Sequence, residues 1–132
     1  MTRINSVAFI PKQNTVYACG HYWSNEKTTA ASSDTTLYNT QAVITRFSSS
    51  GNVDLFLNIK GTNPVSGLTS QDECWGILPA ASQDGTFYAI LSIKMTEARA
   101  TPKGNWRDLL LVMFNSDGSV GQATTFSNGN IN

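Results

Sequence analysis

Charge is scarce in this chain: Asp, Glu, Lys and Arg make up 14% of its 132 residues, against roughly a quarter in ordinary soluble domains. The nine basic and nine acidic residues cancel. A neutral chain presents no electrostatic footprint for nucleic acid or an anionic membrane surface, so neither is an expected partner. No apolar run approaches the ~18 residues a membrane-crossing helix needs, and residues 1–6 lack the basic-then-apolar order of a signal peptide. The expectation is therefore a soluble chain without membrane insertion. Histidine occurs once, as His21, and cysteine twice, as Cys19 and Cys74. Neither cysteine has metal-ligand spacing around it, so no metal and no cofactor is expected. Phosphate-cradling glycine motifs and a G-x-S-x-G nucleophile elbow are both missing. Acidic residues are dispersed, with Asp84 and Asp117 sitting at turns, where a short carboxylate bonds the local backbone. This leaves no convergent acid, base or nucleophile, and the chain reads as non-enzymatic.

What replaces charge is Ser, Thr and Asn, a polar but non-ionic composition common in β proteins displayed outside the cell, so an extracellular or cell-surface location is the expectation. The chain also resembles itself. Thr15-Val16-Tyr17-Ala18 matches Thr86-Phe87-Tyr88-Ala89 at a displacement of 71, and the stretch 42–53 matches 109–120 at 67. Ser6-Val7-Ala8-Phe9 aligns more weakly with Cys74-Trp75-Gly76-Ile77. Such a period is settled before any element is assigned. It divides the chain into repeat one at 1–62, a linker at 63–70 rich in turn residues, and repeat two at 71–132.

Each repeat holds four stretches rich in β-branched and aromatic residues: 4–10, 15–21, 41–47 and 52–59, then 73–78, 86–94, 108–114 and 119–126. Ser50-Gly51-Asn52 and Asp117-Gly118-Ser119 read as hairpin turns, with glycine supplying a positive φ. The connections 22–40 and 95–107 read as long loops. Helix is a poor competitor, since the stretch 94–100 runs into Pro102 and Gly104. The fold class is all-β, two four-stranded antiparallel repeats, with a two-sheet β-sandwich as the alternative arrangement.

The order of strand, polar turn, Val-Tyr-Ala-type strand, loop, and an apolar strand ending in Phe47-Ser48-Ser49-Ser50-Gly51-Asn52 or Phe114-Asn115-Ser116-Asp117-Gly118-Ser119 resembles the delta-60 and SBBP types of β-propeller repeat. That resemblance implies one four-stranded blade per repeat and brings no catalytic residues with it. Two blades are fewer than the roughly four to eight that close a propeller. Open sheet edges and uncovered faces then call for a partner, either further copies in a homo-oligomer or flanking blades of a longer protein.

Two groups of residues stand out as candidate sites. His21, Tyr22, Trp23, Tyr38 and Trp106 border the long loops. Aromatic rings beside Asn, Ser and Thr suit stacking on a sugar, which makes a glycan the second class of partner and a carbohydrate-binding module the alternative function. The competing reading has the rings anchoring their own loops and His21 lying at the surface of a strand end. Trp75, in mid-strand, reads as core. Cys19 and Cys74 sit in apolar stretches and are open to two readings, buried free thiols or one disulfide.

Overall fold

The computed structural model describes residues 2–29, 36–59, 72–93 and 108–126. The linker at 63–70 and the stretch 94–107 lie outside them. All the described regular structure is β, in eight strands: β1 (Thr2–Ile10), β2 (Thr15–Thr29), β3 (Thr36–Phe47), β4 (Val53–Ile59), β5 (Glu73–Pro79), β6 (Phe87–Ile93), β7 (Asp108–Phe114) and β8 (Val120–Thr125). They form two open antiparallel meanders, β1-β2-β3-β4 and β5-β6-β7-β8. The all-β, two-sheet expectation is met.

The two sheets share one pairing grammar. Val16 lies between Phe9 and Phe47, as Phe87 lies between Pro79 and Phe114. A bulge interrupts the first pair of each sheet, between Ile4 and Ser6 and between Cys74 and Gly76. A second interrupts the last pair, at Arg46/Phe47 and at Met113/Phe114. The β3–β4 turn is closed by Ser48 N donating to Asn52 O at 2.8 Å and Gly51 N to Ser48 O at 2.9 Å. Its counterpart is closed by Asn115 N to Ser119 O at 2.8 Å and Gly118 N to Asn115 O at 2.9 Å. Gly51 and Gly118 hold φ of 81° and 86°, a conformation that glycine adopts without strain.

Three expectations are corrected. Pairing places Ser6 opposite Cys19 and Gly76 opposite Ile90, so Ser6 corresponds to Gly76 rather than to Cys74. The two alignments differ by two residues, and a strand pattern of period two is blind to such a slip. Second, much of 22–40 is not a loop: β2 and β3 continue as a paired hairpin out to Thr29↔Thr36, past an irregularity between Trp23 and Lys27. Thr-rich strands paired through their backbones look like loop when judged by polarity. Third, Trp75 is not core. It is the extra residue of the β5 bulge and is 52% exposed.

The sheets pack through unlike sides. Tyr17, Cys19, Ala42 and Ile44 line the inner side of the first sheet. Against them stand Phe87, Ala89 and Leu91 of β6, backed by Val112 and Phe114 of β7. The Tyr17 and Phe87 rings meet at 4.9 Å, and Phe87 stacks on Phe114 at 5.1 Å. Strand β5 lies against β1, β2 and β3. By the shared register Phe87 corresponds to Val16, the neighbour of Tyr17, and successive strand residues face opposite ways. The packing is therefore front to back: the Tyr17 side of one sheet meets the side of the other that matches Val16.

Candidate functional site

Polar links hold the seam between the sheets. Asn5 Nδ2, in the β1 bulge, donates to Cys74 O at 2.9 Å, and Gln13 Nε2 donates to Gln83 O at 2.8 Å. Arg46 comes from the inner side of β3. Its Nε donates to Asp54 Oδ1 at 2.7 Å and its Nη1 crosses to Ser116 O at 2.7 Å. The guanidinium also lies 5.9 Å from the centre of the Tyr17 ring and donates to the Tyr17 hydroxyl. Burial lowers the Arg46 pKa, but the hydrogen bonds to Tyr17 and Asp54 outweigh it and hold the group above its ordinary value. Gly118 fits against the first sheet, where a Cβ would come within 2.8 Å of Leu57 Cδ2 and 2.9 Å of Leu55 Cδ1.

The other end of the seam gathers titratable groups that sequence reasoning left scattered. His21 is buried within β2 rather than lying at the surface of a strand end, and its Nδ1 stands 3.9 Å from Glu73 Oε1. Asp72 is fully buried, its backbone N donating to Thr40 O at 3.1 Å. Cys19 and Cys74 are free, buried thiols, one from each sheet, joined by a hydrogen bond. That bond and burial both push the Cys74 thiol well above its usual range, and the thiol also lies 3.6 Å from Gly76 O, to which it donates. Sequence separation hid this cluster: Glu73 meets His21, and Asp72 meets Thr40, only once the sheets stack. Among the described residues no three His, Cys, Asp or Glu side chains stand together as metal ligands.

The loop aromatics do not converge where they are described. His21 faces the seam, whereas Tyr22, next along the strand, lies on the outer side, its hydroxyl donating to Gln41 Oε1 at 3.0 Å and accepting from Asn58 Nδ2 at 3.2 Å. The side chains of Trp23 and Tyr38, and the whole of Trp106, lie outside the described residues.

The outer sides of the stack expose large apolar side chains beside polar ones. On the first sheet Val7 is 63% exposed, Phe9 53% and Phe56 59%; on the second Leu78 is 67% exposed and Ile90 43%. Trp75 and Leu109 extend the second of these surfaces. Scattered apolar residues on a surface are ordinary, but large ones grouped on a sheet face mark an interaction surface. Neither protein-family models nor curated protein sequences match the chain. Fold and surfaces together define its class, an all-β protein of two stacked four-stranded meanders with large apolar side chains on its outer faces.

Proposed function

We propose that the chain is a non-enzymatic structural or protein-interaction module that completes its β-sheets by association with other copies or with flanking blades, in an extracellular polymer or scaffold. The observation that carries this reading is the set of large apolar side chains on the two outer faces, with Phe9, Phe56 and Leu78 more than half exposed. Burying them stabilises an assembly by roughly 25 cal/mol per Å² of apolar surface. The sheet edges support the same reading. Strand β8 is exposed along its whole length and has neither Lys nor Pro to block a pairing strand. Zero net charge removes the long-range repulsion that keeps copies apart. The carbohydrate-binding alternative has no comparable observation, because the described members of its aromatic set face opposite sides of the sheet.

Light scattering across a concentration series, with hydrogen exchange on the same samples, tests the proposal. The expected result is a mass above that of one chain and protection of edge amides in β1, β4 and β8 that rises with assembly. A folded monomer at every concentration, with edge strands as protected as β2 and β6, overturns it.

A further inference from the structure

Front-to-back packing of two equivalent sheets leaves two sides over, and they are not equivalent to each other. The outer side of the first sheet, which carries Val16 and on which Ala18 and Val43 are buried while Val7, Phe9 and Phe56 are exposed, corresponds to the side of the second sheet that carries Phe87 and is buried in the seam. The uncovered side of the second sheet, carrying Tyr88 and Ile90, corresponds to the side of the first that carries Tyr17 and Cys19 and is buried there too. Each outer side therefore has, inside the chain, a structural counterpart already seated against the counterpart of the other.

We infer that the outer side of the second sheet docks onto the outer side of the first sheet in another copy of this chain, repeating head to tail the packing within one chain. The inference rests on the association proposed above and adds the partner and its orientation. The internal seam indicates what would meet at the new one. Tyr17 on Phe87 becomes Tyr88 on Val16, and Cys19 on Cys74 becomes Ile90 on Ile4. Arg46, which reaches Ser116, becomes Met113 facing Ser49.

Apart from Ser49 in the place of Ser116, each of these replacements is apolar for polar or apolar for apolar, so the seam between copies is drier than the one within the chain. The central strands carry no charge there: the outward positions on β2 from 16 to 22, on β3 from 41 to 47, on β6 and on β7 from 109 to 113 hold no Asp, Glu, Lys or Arg, and the counterpart of the His21–Glu73 contact is Ser92 beside Arg3. Such an interface joins unlike patches. It does not end with two copies but closes into a ring or continues as a filament, according to the rotation at each step.

Two double variants test the orientation, both at exposed positions. Val7→Glu with Phe56→Glu charges the outer side of the first sheet, and Leu78→Glu with Ile90→Glu charges that of the second with the same sign, so that the two altered sides repel. Circular dichroism and thermal melting establish that each is folded. Should a double variant fail to fold, Phe56→Glu or Leu78→Glu alone takes its place. Head-to-tail docking predicts that the wild type assembles and that each variant alone is monomeric. An equimolar mixture then contains a complex of two chains, twice the mass of either alone, because one intact interface remains and both outer ends are blocked. If either variant forms dimers by itself, like sides pair; the inference fails while association through the outer faces stands. A wild type that stays monomeric but captures another protein on these faces also overturns the inference and leaves the broader proposal intact.

Discussion

Arg46 shows how a single side chain serves both its own sheet and the stack. On the strand it alternates with Thr45 and Phe47 and marks the Ala42, Ile44, Arg46 side as the more polar, yet that is the side that is buried. Its long stem crosses apolar surface while the guanidinium reaches a carbonyl of the opposite sheet. The equivalent position in the second sheet is Met113, so Arg46→Met keeps a long unbranched stem in the strand while removing the bond to Ser116 O and the pair with Asp54. The pair is partly solvent-screened, with Asp54 at 41% side-chain exposure, and contributes little. The charged bond to the carbonyl dominates. A denaturant melt is expected to show a loss of about 1–2 kcal/mol, and Asp54→Asn a markedly smaller one. Equal losses for the two would mean that the cross-sheet bond does not hold the seam.

At the scale of elements the two β3–β4 and β7–β8 turns form a natural comparison. Their glycines have nearly the same φ, but a Cβ on Gly51 meets nothing within 4 Å, whereas one on Gly118 runs into Leu55 and Leu57 of the other sheet. Gly51→Ala is expected to cost the backbone strain alone, about 1–2 kcal/mol. Gly118→Ala should cost clearly more in the same thermal or denaturant melt, since the turn must also withdraw from the first sheet. Equal costs would show that the seam opens freely at this end. The strands themselves were legible because β-branched and aromatic runs end at recognisable turns: 108–114 is read without change, and the turn roles of Asp84 and Asp117 hold. Asp84 Oδ1 accepts from Thr86 N, and Asp117 Oδ1 accepts from Ser119 N, both at 2.9 Å. The hairpin beyond Tyr22 was not legible, because pairing between polar strands is written in backbone bonds that composition does not reveal.

At the scale of the whole molecule, the thiols report on the stack. Cys19 and Cys74 come from different sheets and are both fully buried in the seam, so a thiol reagent reaches them only when the sheets part. With the Cys74 thiol held in its protonated form by its bond to Cys19 and by burial, native protein at pH 8 is expected to react with Ellman's reagent far more slowly than the denatured chain, in which both thiols titrate promptly. Reaction of either at the rate of a free thiol in folded protein would contradict the stacked arrangement. What the sequence by itself determined is the class of structure and its duplication: strand periodicity and turn glycines are carried by residues a few positions apart, and the 67 and 71 displacements show the same local pattern written twice. Which side of each sheet is inward, that His21 lies beside Glu73, that the cysteines meet, and that Trp75 turns outward were decided only by the tertiary structure. A strand in this chain has apolar residues on both sides, so its pattern names no inside. The choice is made when one sheet covers the other, and which two sides face away from the seam follows from that choice.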